Sequence, residues 1–213
     1  MNLIRKTPDT VSINLGAIIY ENVEFHKNIT IGEYSIVGKK HHNNNGVHLI
    51  VKILSGVNIG SFCTIYENVT IGENVFIDDY IRIGPNTTIG SNTRLLYGAK
   101  IYKEVEIGTN CIISGFICNR AIIKENSSVF GMLVHRYPRP KWGVKEESPI
   151  IGKNVVVGMG ALIVGGVEIG DNSYIAAGAI VRKNIPEGSV IINKELTNVP
   201  LSCWNGRMSE DMA

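Results

Sequence analysis

Aliphatic residues recur at every sixth position along most of the chain. Counted from residue 59, the positions 59, 65, 71, 77, 83, 89, 95, 101, 107 and 113 all hold isoleucine or leucine. The same interval runs through Ile13, Ile19, Phe25, Ile31 and Val37, and again through Ile151, Val157, Ile163, Ile169, Ile175 and Val181. A period of six suits neither an α-helix nor a βα repeat. It predicts a short strand followed by a turn, repeated many times.

Glycine and asparagine follow many of these aliphatic anchors at fixed offsets. The segments IGEN (71–74), IGPN (83–86), IGSN (89–92), IGTN (107–110), IGKN (151–154) and IGDN (169–172) share this form. Glycine and asparagine tolerate the left-handed backbone angles that tight turns need. Three such units can close one triangular coil, and stacked coils then pair as parallel strands around aliphatic columns. The spacing predicts roughly eight coils.

The pattern [LIV]-G-x-N-[small]-x resembles the hexapeptide-repeat family over about residues 13 to 190. The resemblance implies an all-β fold, a left-handed parallel β-helix, and most often acyltransferase activity. We expect residues 1–192 to form the β-helix domain. Residues 193–213 leave the period and are expected to form a short irregular C-terminal tail.

Three breaks interrupt the period. The anchors Val37 and Val47 are ten residues apart, and so are Ile113 and Ile123, while Val129 and Ile151 are separated by 22. Insertions in a solenoid form loops at its corners, often on the working face. We therefore expect inserted residues at 38–46 and 114–121 and a protruding loop near 130–149. The middle break fits either a bulged corner lining an acceptor cleft or packing at a subunit axis.

His135 lies in the third break, directly before the most regular repeats. This arrangement is similar to the sugar, maltose and xenobiotic acetyltransferases of the family, in which a loop histidine precedes such a segment. There, three subunits pack around a threefold axis with active sites between neighbours. The resemblance implies that His135 is the general base, a role suited to imidazole because it exchanges protons near neutral pH. The alternative is a loop histidine that contacts only solvent or a neighbour.

The resemblance also maps coenzyme A onto the last coils, with acetyl-CoA or another acyl-CoA as co-substrate. The implied contacts are Gly158, Gly160, Ala176, Ala177, Gly178, Arg182 and Lys183. Small residues let a ligand approach the backbone, and the basic pair could hold a phosphate by charge. Glycine and alanine are equally what tight coils require, so the structural interpretation stays open.

The breaks supply the candidate acceptor-binding residues, which are His41, His42, Asn119, Arg120 and Trp142. The histidines of the stretch 39–48 also invite a metal interpretation. Adjacent loop histidines rarely chelate one ion, and the spacing of the hexapeptide carbonic anhydrases is absent, so we expect no metal. The 39–48 loop should lie far along the axis from His135, where it could contact the distal part of a long acceptor.

Composition and charge exclude some classes of protein but point to no particular reaction. The 213 residues carry a formal net charge of +2, which gives no reason to expect a nucleic-acid partner. The chain shows neither an apolar leader nor a run of about 18 apolar residues, so we expect a cytoplasmic protein without membrane insertion. The four cysteines show neither zinc nor disulfide spacing and are expected to be small buried residues.

Together these features predict a homotrimeric acyltransferase that modifies a hydroxyl or amine of a sugar or nucleotide-linked (amino) sugar. A surface-polysaccharide precursor or an antibiotic-like acceptor is also compatible with the sequence. Two alternatives from other classes are a β-helix scaffold without chemistry and a carbonic anhydrase-like metalloenzyme. The choice between oxygen and nitrogen as the acylated atom, and the acyl chain length, stay open.

Overall fold

The computed structural model describes residues 9–41, 49–136 and 146–192, and these form a parallel β-solenoid with three faces. Face 1 holds β1 (Val11–Ile13), β4 (Ile29–Ile31), β7 (Asn58–Ile59), β10 (Phe76–Ile77), β13 (Arg94–Leu95), β16 (Ile112–Ile113), β19 (Ser128–Val129), β22 (Val156–Val157), β25 (Tyr174–Ile175) and β27 (Val190–Ile191). Face 2 holds β2 (Ile18–Ile19), β5 (Ile36–Lys39), β8 (Thr64–Tyr66), β11 (Arg82–Ile83), β14 (Lys100–Ile101), β17 (Phe116–Ile117), β20 (Met132–Val134), β23 (Leu162–Val164) and β26 (Ile180–Val181). Face 3 holds β3 (Val23–Phe25), β6 (Val51–Ile53), β9 (Thr70–Ile71), β12 (Thr88–Ile89), β15 (Glu106–Ile107), β18 (Ile122–Ile123), β21 (Ile150–Ile151) and β24 (Glu168–Ile169).

Successive strands lie on faces 1, 2 and 3 in turn, so three strands make one coil. Coil 1 contains β1 to β3. Coil 9 contains β25, β26 and Ile185, which forms a parallel bridge to Ile169 of coil 8. The pairing is parallel throughout, as between Ile59 and Ile77. The predicted all-β parallel solenoid is confirmed, and it is consistent with a left-handed β-helix. It has about nine coils, one more than the spacing predicted.

The anchors form the core. Ile31, Ile65, Ile83, Ile113 and Ile163 are all 0% exposed. Burial of one such side chain stabilises the fold by about 1.5–3 kcal/mol, and only the stack as a whole removes these side chains from water. Cys63, Cys111 and Cys118 are buried in the same core, and burial raises the pKa of the Cys63 thiol to about 11 and that of Cys118 to about 12. These thiols are therefore poor nucleophiles.

Each pair of faces meets at a corner, and corner 3–1 is the most regular of the three. Its turns hold asparagine or glycine in the left-handed region, for example Asn74 at φ 55 and Asn172 at φ 58. Asparagine side chains of successive coils bond to one another, as Asn154 Nδ2 does to Asn172 Oδ1 at 2.9 Å. This asparagine ladder satisfies both the turn geometry and the polar side chains.

The breaks differ from their predicted form. Strands β17 and β20 follow their predecessors after only four residues, from Ile113 to Ile117 and from Val129 to Leu133. The middle break is thus a short step plus an ordinary hexad, and not an inserted loop. These two short steps hid two strands, β17 and β20, which the six-residue count had missed. Val134 still belongs to the wall, so the third break begins after residue 134 and not at 130. The middle of the predicted loop, residues 137–145, lies outside the described residues.

The first break also differs from its predicted form. β5 ends at Lys39 on face 2, and the next strand, β6, begins at Val51 on face 3. The two strands occupy consecutive faces, so the described stack has no vacant position between them for the predicted anchor Val47, which itself lies outside the described residues.

The structure describes no helix in residues 9–41, 49–136 and 146–192, and hence none there that could cross a bilayer. The predicted tail, 193–213, lies outside the described residues. The division into a domain of 1–192 and a tail stays a prediction.

Candidate active site

Both long excursions leave the solenoid at the same corner, 2–3. The first connects β5 to β6 in coil 2, and the second connects β20 to β21 in coil 7. Five coils separate them, which is about 24 Å at the spacing of parallel strands. The predicted distance between the loops along the axis therefore agrees with the fold.

His135 lies at the start of the second excursion, directly after β20. Its side chain is buried, with 9% of the residue exposed. The ring Nδ1 lies 3.2 Å from the carbonyl oxygen of Glu147, on the limb that returns from the excursion. Because a carbonyl can only accept, the proton of this contact belongs to Nδ1, and the neutral ring then carries its lone pair on Nε2. A general base needs a ring held in this tautomer.

The returning limb, residues 146–149, is fastened to the coil below. Arg120 Nη2 donates to the Glu146 carbonyl at 2.7 Å, and Ser148 Oγ donates to the Asn119 carbonyl at 2.7 Å. Asn119 Oδ1 in turn accepts from the amide of Lys103 at 3.2 Å. The limb that bears the Glu147 carbonyl is thus fixed to coil 6 by two bonds, and Asn119 is itself held by coil 5. These links position His135 through its acceptor.

Glycines in coil 8 make room for the excursion. A Cβ on Gly166 would lie 2.5 Å from both Cβ and Oε2 of Glu147, so only glycine allows this side chain to pack there. A Cβ on Gly165 would lie 3.1 Å from Cβ of Arg136. The excursion is therefore held from above as well as from below.

A groove of about 410 Å³ lies beside the returning limb, on the face 3 side of corner 2–3. Its lining contains four glutamates and one cation, together with apolar and hydroxyl groups. The lining residues are Glu104, Glu106, Arg120, Ile122, Glu146, Glu147, Ser148 and Ile150. This lining is predominantly acidic, because Arg120 is its single basic residue.

The candidate coenzyme A residues fall on two corners. Gly158 and Gly160 lie at corner 1–2 in coil 8, and Ala176, Ala177 and Gly178 lie directly above them in coil 9. A Cβ on Gly158 would lie 2.5 Å from the amide nitrogen of Ala177, so Gly158 is required by coil packing. Gly160 has φ 69 and no heavy atom within 4 Å of a Cβ built on it. Only Gly160 of these two borders open space.

Arg182 and Lys183 lie at corner 2–3 in coil 9, two coils above His135. Both are exposed, and the neighbouring Asn184 caps the amide of Glu168 at 3.0 Å. His135 and this basic pair are therefore on one edge of face 2, while Gly160 is on the other edge. One copy of the chain does not bring these candidates together.

Corner 1–2 is recessed at the height of His135. The two short steps leave only Ser114 and Gly115 at this corner in coil 6, and Phe130 and Gly131 in coil 7. A Cβ on Gly115 would collide with the Gly131 carbonyl, and one on Gly131 with the Ala161 carbonyl. The shortened corners form a notch two coils high, directly below Gly158 and Gly160.

His41 belongs to the first excursion. Its amide donates to Oε1 of the buried Glu67 at 2.9 Å, and its ring centroid lies 6.1 Å from that of Tyr66. His42 and Trp142 lie outside the described residues. Among the described residues, no group of three histidine, cysteine or acidic side chains converges on one point.

The returning limb and the notch were not predicted from the sequence. Glu146, Glu147 and Ser148 act mainly through backbone carbonyls and a hydroxyl, which have no motif. The notch had a signal in the sequence, namely the anchors Ile113 and Ile117, and Val129 and Leu133, spaced by four. Arg120 and Asn119 were expected to bind an acceptor, and in the structure both are hydrogen-bonded to the returning limb.

Comparison with known proteins places these features in a wider group. Residues 68–103 and 148–183 match the family described as bacterial transferase hexapeptide (six repeats). The bifunctional protein GlmU of Clostridium botulinum is 28% identical over 193 residues, which is 85% of this chain. The serine acetyltransferase of Buchnera aphidicola is 33% identical over 100 residues, which is 45% of this chain. This chain spans 38% of the length of each of these relatives.

Solved structures with the same kind of fold share little sequence with this chain. UDP-N-acetylglucosamine acyltransferase from Campylobacter jejuni is 18% identical, with coverage of 97% of this chain and 80% of that chain, at a TM-score of 0.39. The two matched segments lie on the six-residue repeat that builds all three faces, so the part of the chain that resembles the bacterial transferase hexapeptide family is the wall of the solenoid.

Proposed function

We propose that the protein is an acyltransferase that moves an acyl group, most simply acetyl, from coenzyme A to a hydroxyl or amine of a sugar or nucleotide-linked (amino) sugar. The observation that carries the proposal is the fixed imidazole of His135, buried at corner 2–3 with Nδ1 on the Glu147 carbonyl. The family description as transferases and the likeness to a serine acetyltransferase support acyl transfer as the reaction.

The reaction uses His135 as general base. Nε2 takes the proton from the acceptor O–H or N–H while the acceptor oxygen or nitrogen attacks the thioester carbonyl. The carbon–sulfur bond then breaks, and the imidazolium returns the proton to the departing thiolate. The amides of Gly158 and Ala161 bond to the carbonyls of Ile175 and Gly158, at 2.8 Å and 3.1 Å. Because those two amides are already bonded, we assign stabilisation of the oxyanion to the backbone amide of Met159 or Gly160.

The site is completed by a second copy of the chain. His135, Arg182 and Lys183 lie on corner 2–3, whereas Gly160, Ala176, Ala177 and Gly178 lie on corner 1–2. A ring of three parallel copies places corner 2–3 of one copy beside corner 1–2 of the next. The notch in coils 6 and 7 then faces His135 at the same height and leaves space for the reacting groups. We therefore propose a homotrimer with active sites between neighbours.

The acidic groove is assigned to the acceptor. Its four glutamates repel the polyanionic coenzyme A and suit the hydroxyls or the ammonium group of an amino sugar. The thioester then approaches from corner 1–2 of the neighbouring copy. His41 lies about 24 Å away along the axis and is left to the distal part of a long acceptor.

The position of coenzyme A is tested by a matched set of glycines. Gly98, Gly160 and Gly188 have φ of 71, 69 and 70, and none has a heavy atom within 4 Å of a built Cβ. Substitution by alanine therefore strains all three turns equally, but only Gly160→Ala adds a methyl group beside the proposed thioester. We expect Gly160→Ala to raise the KM for acetyl-CoA by about tenfold or more, measured by thiol release.

The matched variant Gly188→Ala, at corner 3–1, should leave that KM unchanged. An equal KM in Gly160→Ala and Gly188→Ala would place the thioester elsewhere. Absence of thiol release from the wild-type protein, across acetyl-CoA and longer acyl-CoAs with a panel of amino sugars and nucleotide sugars, would refute acyl transfer itself.

A further inference from the structure

Two surfaces in coils 2–5 are unused by the chemistry and carry opposite charge. The first, which we name the acidic ladder, lies at corner 1–2. It consists of Glu33, Tyr34, Phe62, Asp78, Asp79, Tyr80 and Tyr97. The second, the cationic column, lies on face 2 towards corner 2–3. It consists of Lys39, Tyr66, Arg82, Lys100 and Tyr102.

The acidic ladder is a continuous stack of aromatic rings. Ring centroids are 5.4 Å apart from Tyr34 to Phe62, 5.0 Å from Phe62 to Tyr80 and 5.4 Å from Tyr80 to Tyr97. The first two pairs are nearly parallel, at 17° and 9°, so their faces cover one another and ring edges point outward. Covered faces disfavour the stacking of a sugar or a base on the ladder, and they suit contact with another protein.

Turn geometry does not explain these aromatic residues. Tyr34, Phe62 and Tyr80 have φ of 55, 57 and 60, where a bulky side chain is unfavourable. The equivalent turns of corner 3–1 hold asparagine or glycine. The rings are nonetheless 48–53% exposed, and Tyr97 is 66% exposed. The chain thus accepts strained turns in order to present a ridge of rings on its surface.

The charges of the two surfaces are segregated. The five turns of the ladder corner, 14–17, 32–35, 60–63, 78–81 and 96–99, hold three carboxylates and no lysine or arginine. In the cationic column, Arg82 lies between two rings, 4.7 Å from the centroid of Tyr66 and 5.1 Å from that of Tyr102. The Nζ of Lys39 also lies over the Tyr66 ring, 5.6 Å from its centroid.

Local ion pairs do not neutralise the column. The ion pairs between described residues join Lys103 and Arg120 to Glu104, and Lys153 to Glu125, and none of them involves Lys39, Arg82 or Lys100. The guanidinium of Arg82 is held in place by its two rings, so it loses little side-chain entropy when it meets a carboxylate. A preorganised cation of this kind is suited to an acidic protein surface.

We propose that the acidic ladder of one copy docks on the cationic column of the next copy in coils 2–5. The inference rests on the proposed ring of three copies and names the surfaces that hold it together. Both surfaces occupy the same coils and lie along the two edges of face 2, so a parallel ring brings them together. The ring contact joins two different patches, as a threefold interface must. It sets the height at which His135 meets the notch.

Charge reversal tests the docking. The variant Arg82→Glu/Lys100→Glu faces the acidic ladder with like charge, and we expect the dissociation constant of the subunits, measured by sedimentation equilibrium, to rise by about 100-fold or more. The matched control is Arg94→Glu/Lys52→Glu, which makes the same charge change on faces 1 and 3. Arg94 also lies over a ring, 5.6 Å from the centroid of Phe76. The control should assemble like the wild type.

Adding Glu33→Lys and Asp78→Lys to the reversed variant should restore assembly to within about tenfold of the wild type. Thermal unfolding of each variant shows that the coils are intact. Unchanged assembly of Arg82→Glu/Lys100→Glu, equal dissociation of the control, or failure of the compensating changes would each overturn the docking. A reversed variant that stays assembled but has a raised KM for a nucleotide sugar would show instead that the column binds an anionic acceptor.

Assembly is measured without substrate, so the two proposals fail separately. A ring held by these surfaces that releases no thiol from acetyl-CoA would refute acyl transfer and leave the docking intact. An active protein whose assembly is unchanged by the charge reversal would refute the docking and leave acyl transfer intact.

Discussion

Corner 3–1 and corner 2–3 of the same prism show how a repeat divides structure from chemistry. Corner 3–1 repeats one solution in nearly every coil, a left-handed asparagine or glycine, with side chains bonded along the axis. Corner 2–3 departs from the repeat twice, and there the chain places a buried imidazole and a groove. Uniform turns stabilise the stack, and the irregular corner uses that rigidity to position reactive groups.

The largest effect on catalysis is expected at His135, the buried imidazole of corner 2–3. We expect His135→Asn to lower kcat by about 100-fold or more, because the base is lost while the fold is retained. The KM for acetyl-CoA should change little. The control is His26→Asn, at the exposed end of β3, which should leave kcat unchanged. Thiol-release rates check the prediction, and wild-type turnover in His135→Asn would remove the base from corner 2–3.

The next largest effect is expected at Arg120, which fastens the returning limb. Arg120→Gln shortens the side chain that donates to the Glu146 carbonyl at 2.7 Å. The Glu147 carbonyl, which orients His135, should then be held less firmly, and kcat should fall about tenfold. The KM for acetyl-CoA should stay constant. Retention of full kcat would show that Ser148 and Gly166 hold the limb without Arg120.

Corner 3–1 should respond in the opposite way, with lower stability and unchanged chemistry. Asn154 has φ 54 and donates to Asn172 at 2.9 Å. Asn154→Ala should lower the free energy of unfolding by about 1–2 kcal/mol, since alanine is disfavoured in the left-handed region. Asn154→Gly keeps the turn and should lose less. Thermal unfolding measures the loss, while kcat per folded enzyme should equal that of the wild type.

The smallest effect concerns the ion pair between Glu125 and Lys153 at corner 3–1, with N···O 2.7 Å. Hydrogen bonding to Lys153 lowers the pKa of Glu125, so the pair contributes stability above the ordinary carboxyl pKa and loses it as the pH falls through the lowered value. Both side chains are exposed, so Glu125→Gln should hardly change the melting temperature at pH 7. The difference between variant and wild type should vanish in acid. A clear loss at pH 7 would show that the pair matters more than its exposure suggests.

The sequence predicted the wall of the prism far better than its corners. Successive anchors are six residues apart, and anchors of one face, such as Ile59 and Ile77, are eighteen apart. Because a core position accepts few residues other than aliphatic ones, the repeat was visible without a structure. The short steps from Ile113 to Ile117 and from Val129 to Leu133 were misjudged because a gap of four was counted as part of an insertion. The position of His135 before regular coils was informative. Its support by the Glu147 carbonyl was not visible, because any residue supplies a carbonyl.

The sequence also could not predict which glycines border a cavity. Gly158 and Gly160 look alike in sequence, yet the first is required by the neighbouring coil and the second borders open space. The difference depends on the left-handed turn at Gly160 and on the recess below it. Only the stacking order of the coils reveals which glycines face a cavity.

The threefold winding also limits how the chain can change in length. Strands on one face are usually 18 residues apart, as Ile59 and Ile77 are. Deleting one such length between the two excursions would shorten the column by about 4.8 Å and keep both loops on the same edge. Deleting six residues would instead rotate the first loop by a third of a turn relative to His135. Viable length variants of this protein should therefore differ by whole coils.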